Sequence, residues 1–148
     1  ATITNKDIFN AFLSLEDDKE FMHGPTYMAN PLACSAANAS LDLFEKNNIL
    51  AKVKKIELFF KFHLKIFLKY KFVKDIRVLG AIAVIEIQHI SNKRRLWLRK
   101  NYIEKGLWVR PLKNVIYFMP AFMISNSELK KIILSTNDIF DNWYSVDY

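Results

Sequence analysis

Cysteine is almost missing from this chain of 148 residues: Cys34 stands alone. An internal disulfide is therefore excluded, and a reducing compartment, most simply the cytoplasm, is the expected setting. Glycine is nearly as scarce. Three residues are too few for a glycine-rich phosphate loop, which needs several positions without a Cβ in one turn. The three histidines, His23, His63 and His89, are scattered and have none of the spacing by which side chains converge on a metal. No apolar run reaches the ~18 residues that a membrane-spanning helix requires. The longest, VIYFMPAFMI at 115–124, is short and holds Pro120. The start, ATITNKDIF, has no basic region followed by an apolar block, so it does not read as a signal peptide. It does not begin with Met either, and the expectation is a chain cut from a longer one.

What is present is ordinary for a soluble globular protein: 51% apolar and 25% charged residues, enough for one domain with a real core. The net charge is +7, and much of it sits in KVKKIELFFKFHLKIFLKYKFVK at 52–74. Lysines alternating with phenylalanines can mark a nucleic-acid or membrane-surface helix. They can equally mark a solvated lysine face over a phenylalanine core face, and this is the favoured reading. Lysine lacks the forked geometry that makes arginine a strong phosphate reader. The expected core stripe is Val53, Ile56, Phe60, Leu64 and Phe67.

Along the chain, ATIT is β-prone, and Thr4 three residues before Asp7 resembles a capping box for a helix over 5–14. A polar loop follows. Asn30 is a good N-cap and Pro31 suits the first helical position of a slim, alanine- and serine-rich helix over 31–46. Helical spacing then predicts 49–70. The β-branched stretch broken by Gly80 predicts strands at 76–79 and 82–88. Ser91 can cap a helix over 92–105 that stops at Gly106. LWVRP and VIYFMP read as paired strands, 107–110 and 115–119, with Asn114 left-handed in the turn between them. Ser125 and Glu128 form a capping box for a last helix over 126–144. Helix, two strands, helix, two strands, helix is a small two-layer α/β unit with helices on one face of a sheet. Residues 1–48 do not read as a complete domain.

Two stretches carry chemistry. In HGPT, Gly24 lets the backbone approach a ligand, Pro25 stiffens the loop, and Thr26 offers a hydroxyl and an amide to an anion. The helix N-terminus at Asn30 adds positive potential. Locally, the alternative is a structural turn, and four residues favour the turn. In VRPLKNVIYFMP, Arg110 ends one strand and Tyr117 lies on its partner. An arginine fork can hold a carboxylate through two parallel hydrogen bonds with Tyr117 beside it; the alternative is an ordinary surface ion pair. Cys34, without a paired base, reads as packing.

Together, FMHGPTYMANPLACSAANASL, IRVLGAIAVIE and GLWVRPLKNVIYFMP resemble the C-terminal part of class III aminotransferases. The resemblance is to the branch that makes 7,8-diaminononanoate from 8-amino-7-oxononanoate in biotin synthesis. It implies the fold type I architecture of enzymes dependent on pyridoxal 5'-phosphate. Residues 1–48, with the HGPT loop, would be the end of the large domain, and 49–148 the small α/β domain. It also implies a cytoplasmic homodimer, S-adenosylmethionine as amino donor, and neither nucleic acid nor membrane as partner. The HGPT loop would reach across the dimer into the partner's active site. Residue by residue, Gly24 matches a substrate-contacting glycine, and Pro25 and Thr26 match the pair that meets the cofactor phosphate. Arg110 matches the arginine that binds the substrate carboxylate, and Tyr117 a tyrosine of the substrate pocket.

The match departs from the family at three places. Glycine is usual where Ala29 and Ala83 stand, and Phe-Gly-Lys where Leu112, Lys113 and Asn114 stand. No catalytic residue is implied within this segment. The family's Schiff-base lysine and the aspartate that pairs with the pyridine nitrogen lie upstream of the match, and none of the chain's lysines aligns with the former. The chain alone is therefore expected to be inactive, its missing half supplied in cis or in trans. The rival readings are an inactive remnant of such an enzyme and a basic binding module built on 52–74.

Overall fold

The computed structural model describes residues 3–13, 15, 17–19, 21, 24 and 28–143. The chain divides into two compact units, Ala1–Leu43 and Phe44–Tyr148.

The first unit holds a short helix, α1 (Lys6–Ala11), a 3-10 turn at Asp17–Lys19, and most of α2 (Pro31–Lys46). Asn5, not Thr4, caps α1: its side-chain oxygen accepts from the Ile8 amide at 2.9 Å. Asn makes this bond as well as Thr does, and it places the cap where the apolar spacing begins. The helix is shorter than the expected 5–14: among the described residues Ile8, Phe9, Phe12 and Leu13 are all exposed, and a short helix gains little without tertiary packing. Ile3 and Thr4 belong to no strand. At α2 the expected start holds. The Asn30 side chain accepts from the amides of Leu32 (2.9 Å) and Ala33 (3.3 Å), with Pro31 as first helical residue. Cys34 is exposed rather than packed, as neither α1 nor α2 buries a residue.

The second unit contains the core. Helix α3 (Ile49–His63) runs into a 3-10 helix, Leu64–Lys69, so the expected single helix over 49–70 changes pitch near its end. The tighter spiral brings residues three apart onto one line, and Leu64 and Phe67 are both fully buried. The expected stripe is otherwise observed: Ile56 and Phe60 are buried and Val53 packs against them. The lysines of α3 face water, except for a half-buried Lys52 whose ammonium meets the Met123 sulfur at 3.1 Å.

Three antiparallel strands follow in the order β1 (Val73–Leu79), β2 (Ile82–Ile87), β3 (Val115–Phe118). Gly80 opens the tight β1–β2 turn with φ +57°, and a Cβ there would stand 3.2 Å from Val53 Cγ1; both the backbone and the close approach select glycine. Registers of Ile76 with Ile85 and of Ile85 with Ile116 put these residues on one face. That face is covered by α3, α4 (Asn92–Glu104) and α5 (Asn126–Asp141) through Phe60, Leu98, Tyr102, Ile133 and Phe140. The opposite face carries Arg77, Val84 and Tyr117, which pair in sequence across the three strands.

The expected strand at 107–110 is not formed. Residues 107–111 are irregular, and the only pairing in this region is a bridge between Leu112 and Val115. The Leu107 amide closes the end of α4 by bonding the Tyr102 carbonyl (2.8 Å), and Pro111 has no amide to donate. Lys113, not Asn114, takes the left-handed conformation, with φ +51°. Asn114 is held by the sheet: its carbonyl accepts from the Ile87 amide at 2.9 Å. Ser91 caps α4 through the Arg94 amide, Gly106 follows it with φ +74°, and the Ser125–Glu128 capping box opens α5.

Candidate functional site

Arg110 and Tyr117 come together at the end of the sheet. The turn at Leu112–Val115 folds the irregular stretch back beside β3, so both residues line one depression of about 310 Å³ with Trp108, Met119 and Pro120. Both also line a larger groove of about 570 Å³, whose far wall is α4 through Arg95, Leu96 and Arg99. Tyr117 shares the sheet face of its register partner Val84, opposite the buried Ile116. Burial in the irregular stretch alternates. Val109 is buried, whereas Trp108 and Arg110 are exposed on the other side.

Among the described residues, the arginine is in no surface ion pair. Neither Arg110 nor Arg99 meets a carboxylate among the described residues. Both instead stand over the Trp108 ring, at 5.4 and 5.5 Å from its centroid, within the range of cation–π attraction. Arg95 donates to the side-chain oxygen of Asn92. Among the described residues, the positive charge therefore faces the groove without an ion-pair partner. The sequence reading missed Trp108, Arg95 and Arg99. Two arginines four apart on one helix share a face, and that spacing was the available signal.

The other expected site residues lie in the first unit. At Gly24 an added Cβ would meet, among the described residues, the Met28 sulfur at 3.7 Å, an ordinary contact. Pro25 and Thr26 lie outside the described residues. Beyond them, Met28 and Ala29 are both left-handed, with φ +48° and +55°. The first free amides of α2, those of Leu32 and Ala33, already bond Asn30. An anion at this loop would thus meet the helix dipole but no spare amide of that first turn. Residues 21–41 themselves include no acidic side chain.

The sequence matches the family described as "Aminotransferase class-III" over residues 1–140. The chain belongs to the class III aminotransferases. It is 40% identical over 142 residues to the adenosylmethionine-8-amino-7-oxononanoate aminotransferase of Buchnera aphidicola subsp. Schizaphis graminum, covering 96% of this chain and 32% of the relative. It is 38% identical to the enzyme of the same name from Helicobacter pylori, covering 95% and 34%. It spans about a third of the length of these relatives. Among solved structures, a thermostable (S)-enantioselective omega-transaminase from Thermomicrobium roseum superposes with a TM-score of 0.76 at 21% identity, covering 86% of this chain and 30% of that one. A Bacillus anthracis aminotransferase gives 0.75 at 22% identity, covering 93% and 34%. The fold of this class III aminotransferase segment is thus the α/β fold seen in transaminases. Among its described residues, no helix is long and apolar enough to cross a membrane.

Proposed function

We propose that this chain is the C-terminal part of a cytoplasmic, homodimeric transaminase that converts 8-amino-7-oxononanoate to 7,8-diaminononanoate, with S-adenosylmethionine as amino donor and pyridoxal 5'-phosphate as cofactor. In this reading residues 1–48 complete the large domain and 49–148 form the small one. The observation that carries it is the placement of Arg110, without a carboxylate partner among the described residues, beside Tyr117 on a groove lined also by Leu96, Pro111 and Leu112. A long-chain amino-oxo acid has one carboxylate and an aliphatic stem, and this arrangement matches both.

Each residue has a distinct task. Arg110 donates two parallel hydrogen bonds to the substrate carboxylate, which fixes the far end of the molecule. Trp108 stands beside the guanidinium at cation–π distance. Tyr117 packs against the stem. Thr26 donates its hydroxyl and amide to the cofactor phosphate, with Pro25 holding the loop and Gly24 admitting the substrate. Bound pyridoxal phosphate supplies the electron sink through which an amino group is exchanged for an oxo group. The lysine that must carry it comes from outside the residues this chain contributes.

Two features favour this reading over a basic binding module. The phenylalanines Phe60 and Phe67 are buried in the core, and Glu57 binds the ammonium groups of Lys54 (2.9 Å) and Lys61 (2.5 Å) on the lysine-rich face. The test is to join this chain to an upstream large domain that bears the lysine and to measure turnover of 8-amino-7-oxononanoate. The joined protein should form 7,8-diaminononanoate, while the 148-residue chain alone should form none and should retain no cofactor at a single lysine after borohydride treatment. A joined protein that binds the cofactor but never turns over would support the remnant reading instead.

A further inference from the structure

Trp108 and Arg110 stand two residues apart in the irregular stretch and their side chains meet, with the buried Val109 between them. Pro111 follows, and a proline disfavours the helical conformation of the residue before it. The backbone of Arg110 is thus confined to the extended region, but its long side chain keeps several rotatable bonds, whose freedom is lost when a ligand orders them. The Trp108 ring supplies a constraint on that side chain. The guanidinium carbon of Arg110 lies 5.4 Å from the ring centroid, within the range where an indole face attracts a guanidinium. The same ring takes Arg99 at 5.5 Å. Arg99 belongs to α4, so the ring links Arg110 to a regular helix. A binding side chain is placed more precisely when its supports sit on such an element.

We propose that Trp108 is a positioning residue: its ring holds the Arg110 guanidinium in place before a carboxylate arrives, so that less side-chain freedom is lost on binding. The proposal rests on the reading of Arg110 as the carboxylate anchor. Trp108 acts through Arg110 and not on the aliphatic stem of the acid. Its contribution is therefore the same for short and long carboxylates, and it depends on an aromatic face rather than on apolar bulk.

The test titrates the whole chain with butanoate and with octanoate at fixed ionic strength, following the Tyr117 backbone amide resonance. Trp108→Leu, which removes the ring and keeps apolar bulk, should weaken both acids by the same factor, about three- to fivefold. Trp108→Phe should recover part of that loss, since a smaller ring still offers its face. In the free chain the Arg110 side-chain protons should be shifted upfield by the ring, keep part of the shift in Trp108→Phe and lose it in Trp108→Leu. A greater loss for octanoate than for butanoate would overturn the proposal, because Trp108 would then touch the stem itself. Equal affinities in Trp108→Phe and Trp108→Leu would overturn it too, as would Arg110 protons at ordinary arginine positions in the unaltered chain. Each of these results leaves Arg110 as an anchor. Binding of both acids unmoved by Arg110→Gln would overturn the Arg110 assignment and this proposal with it.

Discussion

Arg110 and Tyr117 line the same two depressions, although one lies in irregular backbone and the other in the middle of β3. The short turn from Leu112 to Val115 brings them together, and the strain in that turn falls on one residue. Lys113 holds φ +51°, a conformation that costs a residue with a Cβ about 1–2 kcal/mol. Part of this is returned as entropy when glycine takes the place, since glycine is freer when unfolded. Lys113→Gly should therefore stabilise the second unit by about 0.5–1 kcal/mol, read as a rise in Tm of a few degrees. A fall in Tm would mean that Lys113 makes a contact worth more than its strain.

A buried arginine offers a second check. Arg94 is 2% exposed, donates to the Trp143 carbonyl, and stands over the rings of Trp97 and Trp143 at 5.3 and 4.9 Å. Trp143 in turn stacks on Phe72, with ring centroids 4.0 Å apart. Arg94→Ala removes the donor and leaves a cavity beside these rings, and should cost about 2–4 kcal/mol in chemical denaturation. A change below about 0.5 kcal/mol would show that the end of α5 is not held in this way.

The acid side of the stability profile should depend on Glu57. Hydrogen bonds from Lys61 first, then from Lys54, hold its carboxyl below the usual carboxylate range, against a smaller opposing effect of burial. A carboxyl whose folded pKa is depressed contributes stability above its unfolded pKa and loses it as pH falls through the folded value. Glu57→Gln should thus lower Tm near neutral pH and flatten its decline in acid. Parallel Tm–pH curves for the two proteins would contradict the assignment.

Much of the second unit was legible because its signals are local and agree with its packing. Gly80 marks the β1–β2 turn, Ser91 and Ser125 cap their helices, and the stripe from Val53 to Phe67 faces the core. The failures have tertiary causes. The stretch 107–110 alternates like a strand, but the closure of α4 and Pro111 withhold the amides a ladder needs. The pitch change after His63 follows from burying Leu64 and Phe67 together, which a helical period does not announce. In the first unit, short-range signals located Asn30 and Pro31, but among the described residues no packing extends α1 or buries Cys34. For the site, the family resemblance singled out Arg110 and Tyr117. The arginines of α4 and Trp108 became visible only when the turn set them around one groove.

Thr26 and Arg110 should separate in their effects. In the proposed assignment Thr26 binds the cofactor phosphate, so with Thr26→Ala cofactor retention in the joined enzyme should fall while the KM for the amino-oxo acid stays within a few-fold. A variant that lost substrate affinity but kept its cofactor through dialysis would reverse that assignment.

The most direct test of the account is kcat/KM for 8-amino-7-oxononanoate in the joined enzyme carrying Arg110→Ala. A forked, charge-assisted contact is worth about 1.5–3 kcal/mol per hydrogen bond. At ~1.4 kcal/mol per tenfold, loss of the pair should lower kcat/KM by roughly two to four orders of magnitude, and Arg110→Lys should recover only part of it. A kcat/KM unchanged by Arg110→Ala would contradict the claim that this groove holds the substrate carboxylate.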